Sequence, residues 1–152
     1  MEKKTVATNR KAYHDYEILE KSEAGIVLAG YEVKSIRDGK ASLTDGFVQF
    51  ERNEAYLNNI HIPPYTQQST HIKDYEPRRK RKLLLHGSEI KRLYAKVREK
   101  GLAVVPLDMY FSVKGYAKVT LGLAKGRRAH DKRDAIKKKD AERDMRREQR
   151  RR

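Results

Sequence analysis

The last 28 residues, Lys125 to Arg152, limit what the rest of this chain can become. They hold fourteen Lys and Arg against six Asp and Glu, and their apolar residues are only Ala129, Ala135, Ile136, Ala141 and Met145. Ile136 and Met145 stand nine positions apart, which on a helix of about 3.6 residues per turn sets them on opposite sides. No stripe exists to pack on a core, so any core must come from the first 124 residues. The segment is still helix-compatible, since no Pro follows Pro106 and no Gly follows Gly126. Acid-before-base pairs lie four apart at Asp134 and Lys138, Glu142 and Arg146, Glu148 and Arg152. Each pair adds ~0.2–0.5 kcal/mol, too little to hold a lone helix in water. The expected behaviour is that of a cationic segment, loose when free, that orders along a polyanion. A solvated tail that only aids solubility is the alternative.

The same charge sign continues into the body. The first 124 residues carry 22 basic against 15 acidic groups, so body and tail contribute +7 and +8 to the net +15. A phosphate-rich partner is the first expectation. The absence of Cys excludes disulfides, thiolate zinc sites and cysteine nucleophiles, and suits a reducing cytosol. No apolar run approaches the roughly 20 residues that span a bilayer, and MEKKTVATNRK lacks a signal-peptide core. A cytoplasmic protein without a membrane partner is expected.

Along the chain, residues 1–12 read as a flexible lead-in, 13–124 as one domain and 125–152 as the basic tail. From Tyr13 the pattern is strand-like, with Tyr16, Ile18 and Glu20 alternating with Glu17, Leu19 and Lys21; Ile26-Val27-Leu28 reads as a short buried strand. Glu32 to Asp38, between Gly30 and Gly39, predicts a short helix. Phe47 to Phe50 and Ala55 to Leu57 flank Arg52-Asn53-Glu54 as a hairpin whose second arm runs on through Ile60 and Ile62 to Pro63-Pro64. Pro64 to Lys82 is a long polar loop ending in Arg78-Arg79-Lys80-Arg81-Lys82. Ile90, Leu93, Tyr94 and Val97 predict a helix capped by Ser88 and ended by Gly101. Leu102 to Ser112 and Tyr116 to Leu123 form a second hairpin around Val113-Lys114-Gly115. In its second arm Ala117, Val119, Leu121 and Leu123 face inward, while Lys118 and Thr120 face water. The expected fold is mainly β, a small OB-type antiparallel barrel with flanking helices and a basic C-terminal tail.

Catalysis finds little support. His14, His61, His71, His86 and His130 lack metal-binding spacing, and no phosphate-binding glycine loop is present. His14-Asp15 and His130-Asp131 are neighbours whose side chains tend to diverge. Neither a catalytic group, a metal nor a cofactor is expected. Tyr94, Phe50 and Phe111 read as core, whereas Tyr13, Phe47, Tyr65 and Tyr75 sit at edges or in the long loop, where a ring could stack on a base. Lys118 joins Arg78 to Lys82 and the tail in a basic surface. At the tail's start a glycine joint, Gly126, precedes bases surrounding His130, whose imidazole could stack on and hydrogen-bond to a base.

Several stretches, in order, closely resemble the SsrA-binding protein family, SmpB. They are Asn9-Arg10-Lys11-Ala12-Tyr13-His14-Asp15-Tyr16, Glu23-Ala24-Gly25-Ile26, Glu32-Val33-Lys34-Ser35, Arg81-Lys82-Leu83-Leu84-Leu85-His86, and the run from Ala124-Lys125-Gly126 to His130-Asp131-Lys132-Arg133. Glu17 departs from that pattern, where an aromatic is common, as does Phe47, where Tyr is common. The resemblance implies an OB-type barrel and a role in ribosome rescue by trans-translation. Such a protein binds transfer-messenger RNA (SsrA), supports its aminoacylation and carries it into the vacant A site of a stalled ribosome; this chain is expected to be a monomer. It implies that Glu23, Gly25, Phe47, Arg81, Lys82, Leu84 and Lys118 face the tRNA-like domain. The tail, with Lys125, Arg127, Arg128, His130, Asp131, Lys132, Arg133, Ile136, Lys137 and Lys138, would enter the empty mRNA channel near the small-subunit decoding centre and fold there as a helix. A structural ribosomal protein with a basic tail is the rival reading, and an RNA-cleaving enzyme a third.

Overall fold

The computed structural model describes residues 4–65 and 75–126. In chain order the elements are β1 (Lys4–Thr8), α1 (Arg10–Asp15), β2 (Tyr16–Ile26), α2 (Gly30–Arg37), β3 (Phe47–Glu51), β4 (Glu54–Asn58), β5 (Arg81–Leu84), α3 (Gly87–Lys100), β6 (Ala103–Phe111) and β7 (Ala117–Gly126). All the strands join one antiparallel sheet in the order β1-β6-β7-β2-β5-β4-β3. β3 packs back against β6, so the sheet rolls on itself, yet no ladder joins that seam. The mainly β expectation holds, while full closure does not. β1 already occupies the outer edge of β6 at Asp108–Phe111, and Pro106 has no N–H to offer β3.

Local chemistry explains where strands stop and turn. Arg52 and Asn53 adopt φ of 49° and 64°, the paired left-handed conformation that a two-residue hairpin needs to match strand twist. Asn59, at φ 64°, ends β4 earlier than its apolar pattern suggests. Ile60 and Ile62 nevertheless reach the core from irregular backbone, beside the isolated Ser42–His61 bridge. α3 ends at Gly101 in the left-handed conformation, as expected, but its N-cap is His86 rather than Ser88. Tyr94 is exposed instead of core, its ring meeting Phe50 edge-on at 5.9 Å.

Two further expectations change. Residues 4–12, read as a lead-in, form β1 and the start of α1. The strand lies on the sheet edge, where polar Lys4, Thr5 and Thr8 are tolerated and only Val6 and Ala7 pack inward. Asn9 then locks α1 in place. Its Oδ1 accepts from Ala12 N–H at 3.0 Å, and its Nδ2 donates to the carbonyls of Leu43 and Pro106 at 3.0 and 2.8 Å. Ala12 seals a second small core with Val105, Leu107 and Ala124 on the outer face of β6 and β7. That face of β7 is therefore dry at one end and polar only around Lys118 and Thr120. Second, Ile26-Val27-Leu28 is not a separate strand, since Ile26 closes an eleven-residue β2.

The basic run Arg78 to Lys82 is not one exposed surface. Arg81 is fully buried and opens β5. Its guanidinium lies 2.6–2.7 Å from Glu32 of α2 and donates to the carbonyls of Ile60, Pro77 and Arg79 at 3.0–3.2 Å. It also donates to the Tyr75 hydroxyl at 3.0 Å, and Arg79 pairs with the same carboxylate. Burial alone would push the Glu32 carboxyl up. The Ala29 N–H, Arg79 and Arg81 outweigh it and hold that carboxyl below its ordinary range. Burial, then the charge of Glu32, pushes the Tyr75 phenol up to about 12, so it stays protonated at neutral pH.

Arg81→Met should cost ~3–5 kcal/mol in denaturant unfolding, because it strands a buried carboxylate. Glu32→Gln should also destabilise the protein at neutral pH. A carboxyl with a lowered native pKa contributes fully above its ordinary value of 4.5 and loses that contribution as pH falls through the native value. The stability gap between wild type and Glu32→Gln should therefore shrink in acid, and a gap independent of pH would refute the pairing. At Gly46, an added Cβ would sit 2.6 Å from Ile60 Cγ2 and 2.7 Å from Pro106 Cγ. Gly46→Ala should cost ~1–3 kcal/mol by overpacking. Gly30→Ala, which meets nothing within 4 Å, should not.

Candidate nucleic-acid interface

Strand register assembles the site. Gly25 of β2 pairs with Leu84 of β5 on one side and with Lys118 of β7 on the other, and Lys118 in turn pairs with Tyr110 of β6. Directly opposed residues of an antiparallel sheet share a face, so these four form one outward row. Glu23, two residues before Gly25, joins the same face, and its Oε1 lies 2.6 Å from Lys118 Nζ. A Cβ on Gly25 would come within 3.3 Å of Leu84 Cβ and Cδ1, so the glycine gives Leu84 room to lie across β2. Leu84 is 56% exposed although Leu83 beside it is core. His86, Gly87, Glu89 and Ile90 at the start of α3, with Asn53 and Glu54 of the β3–β4 hairpin, wall a cleft of about 600 Å³ over this row.

The cleft alternates charge. Lys82 meets Glu54 at 3.2 Å and Lys118 meets Glu23, all at least partly exposed. Such pairs are worth ~0–1 kcal/mol, so either lysine can be recruited by a phosphate at little cost. Nearby, Lys80 pairs with Glu51 at 3.1 Å and stands 4.5 Å from the Tyr56 ring centroid. A hydrogen bond from the Tyr56 hydroxyl, then one from Lys82, holds the Glu54 carboxyl below its ordinary range. Burial, then its contact with Glu23, pushes the Tyr110 phenol well above its ordinary value, so Tyr110 stays neutral beneath the pair. The first turn of α3 adds the positive end of a helix dipole.

Of the residues singled out in sequence, Glu23, Gly25, Lys82, Leu84 and Lys118 share this cleft. Arg81 is buried elsewhere, held by Glu32. Phe47 is exposed but lines a different cleft, of about 310 Å³, with Asn9, Lys11, Tyr16 and Asp45. Lys125, the last but one residue of β7, pairs with Glu17. Arg127, Arg128, His130, Asp131, Lys132, Arg133, Ile136, Lys137 and Lys138 lie outside the described residues. Among the other aromatics, Tyr75 serves the Glu32–Arg81 network. Tyr13 donates to Asp108 at 3.0 Å beneath Lys21, and Tyr65 lies under Lys34. Sequence reading missed Asn53, Glu54 and the α3 N-terminus as cleft walls, and Tyr110 as the buried residue beside Lys118. Counting back across the Val113–Gly115 turn would have set Tyr110 opposite Lys118.

The His14 and Asp15 side chains do not diverge: Nδ1 and Oδ1 are 3.0 Å apart. Among the described residues no group of three or more His, Asp or Glu could hold a metal, and no helix is long and apolar enough to cross a membrane.

Known proteins match along almost the whole chain. The family model described as SmpB protein aligns with residues 6–151. The SsrA-binding protein of Saccharopolyspora erythraea is 54% identical, over 95% of this chain and 90% of its own length. That of Carboxydothermus hydrogenoformans is 56% identical over 93% of each. A chain from the solved structure "tmRNA-SmpB: a journey to the center of the bacterial ribosome" superposes with a TM-score of 0.67 at 57% identity, covering 79% of this chain and 82% of that one. With matches of this length and identity, the chain belongs to the SmpB family.

Proposed function

We propose that this protein binds the tRNA-like domain of transfer-messenger RNA and delivers it to the A site of stalled ribosomes, where the tail reports an empty mRNA channel. The observation that carries this reading is the convergence of Glu23, Gly25, Lys82, Leu84 and Lys118, from three strands, on one outward cleft. The relatives' name, SsrA-binding protein, and the tmRNA-SmpB structure on the bacterial ribosome support the RNA and the setting.

The cleft suits a folded RNA, whose deep major groove excludes side chains and which is recognised by shape, phosphates and unstacked bases. Lys82 and Lys118 exchange their carboxylates for phosphates. Leu84 packs on a ribose or base, and the released Glu23 and Glu54 accept from base N–H groups. In this reading residues 13–124 form the RNA-gripping body and the tail from Lys125 acts after binding. Its charge pairs favour a helix only where the walls of an RNA channel replace the missing apolar face. His130, Asp131, Lys132 and Arg133 lie near the decoding site, with Ile136, Lys137 and Lys138 further in. Absence of mRNA thereby becomes a signal. No step makes or breaks a covalent bond.

Lys118→Ala should weaken binding to the tRNA-like domain and lower the log–log salt slope by about one unit. Leu84→Ala should weaken binding at unchanged thermal stability, since the side chain is exposed; loss of fold instead would assign Leu84 to the core. A chain ending at Gly126 should keep most affinity for the tRNA-like domain yet lose tagging of stalled peptides in a reconstituted translation system. If affinity and tagging fall together, the tail is an extra RNA clamp and not a channel sensor.

A further inference from the structure

We propose that the tip of the β6–β7 hairpin is a second RNA contact, in which the Tyr116 ring stacks on an unpaired nucleobase next to the phosphate held at Lys118. This rests on the function proposed above and extends it beyond the cleft. Tyr116 and Val113 are 66% and 60% exposed, more than the other exposed large hydrophobic residues described. Neither supports the core, which the hairpin serves through Phe111 and Val119.

Hydrogen bonds close the backbone of the tip that carries the ring. Ser112 N–H donates to the Tyr116 carbonyl at 2.9 Å, Gly115 N–H to the Ser112 carbonyl at 2.8 Å, and Tyr116 N–H to Ser112 Oγ at 3.2 Å. Gly115 takes the left-handed conformation, φ 85°, that closes the turn. A pre-ordered turn has little backbone freedom left to lose on binding.

Its direction follows from the ladder. The Ser112–Tyr116 bond continues the Phe111–Ala117 pairing by one rung, so Tyr116 projects on the face of Lys118, roughly 7 Å further along the strand. Tyr116 therefore stands beside the row Leu84, Gly25, Lys118, one same-face position along the chain from Lys118. Charge selects the occupant. Ser112 to Lys118 contains two lysines and no carboxylate of its own, so the segment around the aromatic is cationic, with Lys118 paired to Glu23 of β2. An exposed ring flanked by lysines, beside the proposed RNA cleft, is the arrangement in which bases stack.

The chain contains no Trp, so Tyr116→Trp introduces a single indole at an exposed position. Titration with the tRNA-like domain transcribed in vitro should quench its emission. Tyr116→Ala should bind about tenfold more weakly with an unchanged salt slope, because stacking releases no counterion. Tyr116→Phe, which keeps the ring, should restore affinity. An unquenched indole together with wild-type affinity in Tyr116→Ala, while Lys118→Ala remains impaired, overturns the stacking contact and leaves the cleft reading standing. Failure of the wild type to bind this RNA removes both. Self-association of the free wild type that Tyr116→Ala abolishes would assign the tip to a second copy of the chain and equally overturn the proposal.

Discussion

The buried Glu32–Arg81 pair is the constraint on which the rolled sheet depends. β5 has four residues, of which only Leu83 and Leu84 are registered with β2 and Arg81 to Leu83 with β4. Backbone pairing that short does not fix a strand arriving from a long connection. The guanidinium supplies what is missing, tying α2, the carbonyls after β4 and the approach to β5 to one carboxylate. A lone buried charge of either sign would cost several kcal/mol, so each residue compels the presence of the other. Geometry then propagates: Arg81 inward places Lys82 outward, Leu83 in the core and Leu84 over Gly25.

That alternation turns a structural anchor into the outward row that the proposed function uses as its binding surface. The outward row is neither strongly basic nor apolar. It couples each lysine to a carboxylate it can leave, and sets a leucine in water where a sheet would ordinarily carry a polar residue. The net +15 of the chain supplies long-range attraction. In the proposed function the cleft, with its balanced charges, supplies discrimination, because a polyanion lacking the right shape gains nothing from displacing Glu23 or Glu54.

The second small core under α1 has a related effect. Asn9 and Ala12 dry one end of the outer face of β6 and β7, leaving the polar stretch near Lys118 as a bounded patch. β1 completes the arrangement by covering the edge of β6 next to the hairpin tip.

The sequence by itself determined the mainly β class, both hairpins, the two longer helices and the end of α3 at Gly101. Each rests on local chemistry: alternation, turn residues, a period of about 3.6. It also marked Glu23, Gly25, Lys82, Leu84 and Lys118, through resemblance of motifs. What it could not separate was Arg81 from the four bases beside it, because inward and outward arginines look alike until Glu32, 49 positions away, is brought alongside. Nor could it find β1, whose polar residues suit an edge only because β6 is there to pair with it. The start of α3 and the β3–β4 hairpin became walls of the cleft through crossings that no local pattern encodes. Tertiary structure alone decided which charges are buried, which are free to change partners, and that five scattered residues share one face.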